Sequence, residues 1–417
     1  MAKYQWFNGN RGAYAFDRFD DYLEISRTET GLVFGFDASV SDFNPERSAA
    51  RIELIYRDYS TYVVQEGPDA GTVRVIGGTI TGVRYLSPDG AELMAITRLD
   101  VPLPVFLATL DRGDAFSAWR MLTSAAGSFT GSGNAAALGH PGTGDVIETG
   151  LGADRVQALA GDDYMLDRGG ADHYSGGFGF DTVTYDGWYF TPFGARRGIE
   201  ADLVLGRIIG PDGAVDTISG MEGVSGTFLA DVLKGNGVAN SFVGFGGADK
   251  IDGRGGFDIV SYARDAGQGG TDGIQVNLTT GRVRDPFGMI DKVISIEGIE
   301  GTDQRDRFID NGVDNYLSGR GGDDEFHLGS GADTVRGGGG ADSFVFHIPA
   351  FGDDTIEDFS AVQGDRIEIE GVTTFLQLRI ITVVVAGQIA SFIETTQGTI
   401  TLIGVAAEDL SPADFGL

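Results

Sequence analysis

From residue 149 onward, one apolar side chain recurs every ninth position in a background of glycine and aspartate. Val156, Met165, Tyr174 and Val183 keep this spacing, and Asp154, Asp163, Asp172 and Asp181 precede them by two positions. Gly152, Gly161, Gly170 and Gly179 stand two positions before each Asp. This period belongs neither to a helix nor to a long alternating strand. It predicts a turn of about six residues, made tight by glycine, then a three-residue strand whose middle side chain points inward. Nine residues are then half a coil. Asp residues eighteen apart stack on one edge, about 4.8 Å apart.

The pattern lapses after Asp181 and returns twice. A second array carries Asp231, Asn240, Asp249 and Asp258, followed two positions on by Leu233, Phe242, Ile251 and Val260. A third carries Asp306, Asn315, Asp324, Asp333 and Asp342, followed by Phe308, Leu317, Phe326, Val335 and Phe344. The two belong to a larger repeat: Gly-Ile-Glu-Ala-Asp-Leu at 198 reappears as Gly-Ile-Gln-Val-Asn-Leu at 273, and Pro211/Pro286, Asp216/Asp291 and Glu222/Glu297 hold the same offset of 75. An unbroken phase of this length implies a stacked, solenoid-like chain. Alternating stretches such as Ile274–Leu278 widen the roll. Asp145 keeps the phase, but the glycines before it are out of pattern, and it makes a weak first site.

Residues 1–126 follow a different pattern. Short alternating runs predict strands at Leu32–Phe36, Arg51–Arg57, Tyr62–Gln65, Thr72–Ile76, Thr79–Tyr85 and Ala91–Ile96, with helical segments at Leu103–Leu110 and Ala115–Ala125. Residues 346–417 read as strands, including Leu376–Val385, Ile389–Ile393 and Thr399–Ile403, that cap the last open edge. The expected fold is all-β: parallel β-roll arrays with intercalated strands, preceded by a β-rich domain with a short helical segment and closed by a β cap. The expected divisions are a β-rich interaction domain at 1–126, arrays at 127–185, 186–262 and 263–345, and the cap at 346–417.

Charge turns this pattern into chemistry. The chain has 61 acidic and 30 basic residues, a formal charge of −31. That disfavours nucleic acid and anionic membrane surfaces as partners. Two unpaired carboxylates one strand spacing apart repel by about 3–4 kcal/mol at an effective dielectric near 20. A hard dication between them reverses the sign, and calcium takes six to eight oxygens in a flexible cage. The candidate metal ligands are Asp154, Asp163, Asp172, Asp181, Asp231, Asp249, Asp258, Asp306, Asp324, Asp333 and Asp342. Asn240 and Asn315 keep an oxygen but lose the charge, so their sites are weaker. No cysteine is present, which excludes disulfides and thiolate sites. No secretory signal peptide and no apolar run long enough to span a membrane is visible.

The arrays at 142–185, 226–262 and 301–346 resemble the RTX (repeats-in-toxin) calcium-binding proteins of Gram-negative bacteria. Gly-Gly-Phe-Gly-Phe-Asp at 176–181 and Gly-Gly-Gly-Gly-Ala-Asp at 337–342 carry the resemblance most cleanly. It implies several bound Ca²⁺ ions and pairs Asp154/Asp172, Asp163/Asp181, Asp231/Asp249, Asp306/Asp324 and Asp324/Asp342 as ligands. It also implies export through a type I secretion apparatus, with residues 413–417 resembling the uncleaved signal, and folding outside the cell. RTX regions are often joined to enzymes. No H-E-x-x-H or G-x-S-x-G occurs, and His140, His173, His327 and His347 lie in or beside the repeats. The expectation is a non-enzymatic, calcium-dependent surface or matrix component that self-assembles as a homo-oligomer, layer or filament. The rival is an extracellular, carboxylate-based hydrolase with its active site in residues 1–126.

Overall fold

The computed structural model describes residues 152–186, 197–349, 351–385 and 387–417, with Ile147 and Thr149. It also describes the backbone of strands Tyr22–Arg27, Gly31–Phe36, Arg51–Val63, Val73–Leu86, Glu92–Pro102, Ser128–Thr130 and Val146–Glu148. The expected helical segments at 103–110 and 115–125, Asp145 and His140 lie outside the described residues. Among those residues the chain is all-β, broken only by single-turn 3₁₀ helices. It divides into two compact units, residues 1–196 with 205–223, and 197–204 with 224–417.

The first unit begins as an antiparallel meander. Tyr22–Arg27 pairs with Gly31–Phe36, and Arg51–Val63, Val73–Leu86 and Glu92–Pro102 follow in turn. The runs expected at 51–57 and 62–65 form one strand of 13 residues, and those at 72–76 and 79–85 one of 14. Register shifts between Arg57 and Thr61 fall in the stretch between the two expected runs. Ser128–Thr130 then joins the two architectures. It runs antiparallel to Glu92–Pro102 and parallel to Arg155–Ala160. Beyond it, Arg155–Ala160, His173–Phe178 and Val215–Ser219 stack in parallel on one face. Val146–Glu148, Tyr164–Leu166 and Thr182–Thr184 do so on the other.

In the second unit, one face stacks Ser241–Val243, Ile259–Ser261, Gly298–Glu300, Tyr316–Ser318, Thr334–Arg336 and Gly352–Ile356 in parallel. The opposite face carries Val232–Lys234, Lys250–Asp252 and Ile290–Ile294 in parallel. It then turns through an antiparallel insert, Arg282–Arg284 with Gln275–Asn277. Parallel stacking resumes at Arg307–Ile309, Glu325–Leu328, Ser343–Phe346 and Arg366–Ile369. Each nonapeptide thus alternates between faces. The intercalated segment adds Gly298–Glu300 to the first face and three strands to the opposite one, where an antiparallel hairpin lets the chain reverse and then resume its direction. Gly398–Ile403, Gln388–Glu394 and Arg379–Val385 complete the first of these faces. Phe415 is buried against Phe375 and bridges to Ile367.

The inward positions form the core. Val156, Met165, Tyr174, Val183, Leu233, Phe242, Ile251, Val260, Phe308, Leu317, Phe326, Val335 and Phe344 are all wholly buried. Phe308, Phe326 and Phe344 stack as a column, with ring centroids 4.8 and 5.3 Å apart. The coil repeat sets that separation, so each ring is packed by the next. Phe326→Ala removes the middle ring and is expected to cost about 3–5 kcal/mol, measured by denaturant unfolding in saturating calcium.

Candidate metal centres

Each turn Asp side chain lies under the backbone of the turn one coil earlier. The N–H of Asp154 donates to Asp172 Oδ1 at 2.8 Å, and that of Asp163 to Asp181 Oδ1 at 2.9 Å. The same bond joins Asp231 to Asp249 at 2.8 Å, Asp306 to Asp324 at 2.7 Å, and Asp324 to Asp342 at 3.0 Å. Asn240 and Asn315 donate their backbone N–H to Asp258 and Asp333, both at 2.8 Å. One carboxylate oxygen is therefore committed to the backbone at every rung.

The other oxygen is the informative one. Oδ2 of Asp181, Asp249, Asp258, Asp324, Asp333, Asp342 and Asp354 is buried and has no hydrogen-bond partner. A buried, unpaired polar oxygen is costly, and a charged one more so. Burial raises these carboxyls above the usual carboxylate range: Asp258 and Asp342 to about 6, Asp324 and Asp354 to about 8. Asp249 rises to about 10, because Asp231 and Asp291 add repulsion to burial. A row of buried oxygens facing neither donor nor solvent has the chemistry of a hard-cation site. The residues present fit calcium.

The first glycine of the turn makes this arrangement possible. A Cβ on Gly244 or Gly319 would lie 2.3 or 2.1 Å from Oδ2 of Asp249 or Asp324. A side chain there would evict the carboxylate. The glycine two before each Asp has a second role. Gly179 has φ +132, and a Cβ there would meet the Gly161 carbonyl at 2.0 Å, so adjacent turns pack backbone to backbone.

The predicted ligands are not equivalent. Asp231 accepts from Ile199 N–H at 2.6 Å and from the Thr227 N–H and hydroxyl at 2.6 and 3.1 Å. Asp306 is held in the same way by Ile274 and Thr302. Both oxygens of each already have protein donors. Asn240 Oδ1 accepts from Asn236 N–H at 2.9 Å, and Asn315 turns its amide N–H₂ to the Glu297 carbonyl.

Several ladder residues lie outside the nonapeptide spacing. Asp216 accepts from Asp172 N–H at 2.8 Å and Asp291 from Asp249 N–H at 2.9 Å, across 44 and 42 residues. Asp354 and Asp365 continue the two edges beyond Asp333 and Asp342, at 2.8 and 3.0 Å. The 75-residue offset already aligned Asp216 with Asp291, but nothing in their spacing tied them to the rungs. Asp167 stands where a regular turn has its first glycine. With Asp172 and Asp216 it forms a buried trio whose ligand oxygens lie within 4.8 Å of one another. Tyr174 donates to Asp167 and Asp172 at 2.9 and 2.8 Å, and Tyr185 to Asp216 at 2.7 Å.

A protein-family model described as the RTX calcium-binding nonapeptide repeat matches residues 145–183, 225–260 and 300–344. These segments are RTX calcium-binding repeats. RTX repeats of this kind hold Ca²⁺ at multiple sites, and the intervening segments supply further rungs. No curated protein sequence matches the chain. Among solved structures, it is similar to the extracellular lipase LipA of Serratia marcescens, at 15% identity with a TM-score of 0.19. That match covers 58% of this chain and 45% of the lipase. The AlgE6R3 subunit of the Azotobacter vinelandii mannuronan C5-epimerase matches at 20% identity with a TM-score of 0.16, covering 45% of this chain and 77% of that one.

Two expectations follow from the rungs. Gly319→Ala should displace the Asp324 carboxylate and lower the bound-ion count, read by calorimetric calcium titration. The second concerns pH. The raised carboxyls bind protons in the calcium-free fold that the unfolded chain, with ordinary Asp values near 3.8, has already released. Their contribution to the calcium-free roll is full below about pH 4 and is lost as pH rises through about 6–10. Calcium and protons compete for the same oxygens. Calcium affinity should therefore fall as pH drops from about 8 to 6, and binding should release protons, measured by titration in weakly buffered solution.

Proposed function

We propose that the chain is a secreted, non-enzymatic RTX protein whose rolls fold only where calcium is abundant and then serve as an extracellular scaffold. The row of buried, unpartnered Oδ2 atoms carries this reading. Without a cation those oxygens oppose the fold, and with one they hold successive coils together. Extracellular calcium modules bind at about 10⁻⁴–10⁻³ M, so the chain stays unfolded at cytosolic calcium and passes a type I secretion channel as such. Folding then follows export, with metal-binding free energy as folding free energy. Asp181, Asp249, Asp258, Asp324, Asp333 and Asp342 are the principal ligands. Asp154 and Asp163 are the preceding rungs, Asp172 has its oxygens engaged by the Asp154 N–H and the Tyr174 hydroxyl, and Asp231 and Asp306 act mainly as turn caps.

Assembly with further copies is supported by a strand at the end of a sheet in the second unit. Arg379–Val385, sequence Arg-Ile-Ile-Thr-Val-Val-Val, is the end strand of its sheet. It pairs with Gln388–Glu394 on one side, and Val384 is well exposed. An open edge of β-branched residues is a template for another strand. A second copy supplying the same edge would close it.

Chelation should abolish the β signal of the rolls in circular dichroism, and millimolar calcium should restore it. Asp181→Ala should raise the calcium needed for folding several-fold, whereas Asn240→Ala should shift it little. Equal shifts would refute this ranking. Light scattering with and without calcium tests assembly. A particle mass that stays monomeric in saturating calcium would remove the assembly part of the reading.

A further inference from the structure

The two neutral rungs share a feature that calcium ligation does not use. Asn240 and Asn315 each close a turn that contains an Asn-Gly pair, Asn236-Gly237 and Asn311-Gly312, again at the offset of 75. Among the described residues no other asparagine precedes a glycine: Asn240, Asn277 and Asn315 are followed by Ser241, Leu278 and Tyr316. Both pairs lie at the surface, with Gly237 and Gly312 exposed and Asn236 and Asn311 half-buried. The Asn236 N–H donates to Asn240 Oδ1 at 2.9 Å and fixes the head of the turn. Asn236 Oδ1 accepts the N–H of Val238 at 2.9 Å, and Asn311 Oδ1 accepts that of Val313 at 3.0 Å.

The ring closed by this side-chain bond runs through the nitrogen of the intervening glycine. At neither site does that glycine N–H have a hydrogen-bond partner among the described residues. Nor, among them, does the side-chain amide nitrogen of Asn236 or Asn311. These are the parts of an intramolecular acyl transfer. The glycine nitrogen is the nucleophile, and Cγ of the asparagine is the electrophile. Attack puts negative charge on Oδ1, the oxygen that already accepts a backbone N–H from Val238 or Val313, as in an oxyanion hole. Holding both groups in one small turn removes the entropic cost of bringing them together. Glycine places no side chain beside the attacking nitrogen.

We propose that Asn236 and Asn311 are sites of spontaneous deamidation in the folded protein. The Gly237 or Gly312 nitrogen loses its proton to solvent and bonds to Cγ. The Cγ–Nδ2 bond breaks, and the amide nitrogen takes up a proton and leaves as ammonia. Water then opens the cyclic imide at one of its two carbonyls, giving aspartate or isoaspartate. The aspartate product keeps the main chain intact and puts a carboxylate into the two turns whose rung residue is neutral. The next rungs on that edge, Asp258 and Asp333, carry an unpartnered Oδ2. The added charge strengthens calcium binding at those turns, an effect that rests on the reading that the rungs bind calcium.

The test keeps the full chain, folded in saturating calcium, at mildly alkaline pH, then digests it and weighs the peptides. Those carrying Asn236 and Asn311 should each gain one mass unit, at a rate no slower than in the guanidinium-unfolded chain, while the peptide carrying Asn277 stays unchanged. A Cβ at Gly237 or Gly312 meets nothing within 4 Å, so Gly237→Ala and Gly312→Ala should fold as the wild type does and convert several-fold more slowly. Asn236→Asp combined with Asn311→Asp, which mimics the product, should fold at lower calcium than the wild type. If Asn236 and Asn311 persist in the folded chain while the unfolded chain converts, the inference is overturned. Conversion of the alanine variants at the wild-type rate overturns it too. An unchanged calcium midpoint in the double Asp variant overturns the link to calcium alone. Absence of all calcium uptake by the wild-type chain would instead overturn the reading beneath that link and leave the mass shift standing.

Discussion

The fold depends on what happens to the two oxygens of each turn aspartate. One accepts a backbone N–H from the coil before, which locks adjacent turns in register. At Asp181, Asp249, Asp258, Asp324, Asp333 and Asp342 the other is left inside the protein with no hydrogen-bond partner. A neutral amide or hydroxyl could satisfy the first requirement. Only a group that also carries charge makes the second oxygen a liability without a cation and a bond with one. Asn240 and Asn315 illustrate the difference, since each engages protein donors or acceptors with its side chain.

The rest of the architecture serves that arrangement. A glycine five positions before the Asp leaves the carboxylate room against its own turn, as at Gly244 and Gly319. The three-residue strand then needs only one inward side chain to form a core, because the coils above and below supply its neighbours. The column of Phe308, Phe326 and Phe344 shows how little each unit contributes alone. Such a stack gains cooperativity from neighbours rather than from any single coil. This is why a switch acting on the edges can control the order of the whole roll.

The intercalated segments are more than spacers. They bring Asp216 and Asp291 into the edge ladder from far along the chain, and they broaden one face with an antiparallel hairpin while the other face keeps its single-strand steps. Both units bury tyrosines whose hydroxyls donate to acids, Tyr174 and Tyr185 in the first and Tyr262 in the second, and both keep rungs with an oxygen that has no donor. A repeat that looks regular in sequence thus carries sites of unequal character.

The sequence alone determined the coil. A period of nine, glycines at fixed offsets and an apolar residue two beyond each Asp leave one way to bury that residue, and every such position within the described residues is in the core. It also determined that Asp residues eighteen apart share an edge, because strand spacing and repeat length together fix that distance. It did not reveal that Asp231 and Asp306 are consumed by Thr227 and Thr302. Nor did it reveal that Asp354 and Asp365 extend the ladder, since spacings of 21 and 23 break the period. The closing of the loop after Asp265 onto the turn at Asp285 was decided by tertiary structure alone. Local periodicity reports which residues share a face. Which distant loop closes over that face depends on backbone contacts, such as those of Thr271 and Asp272 with Pro286, that no repeat encodes.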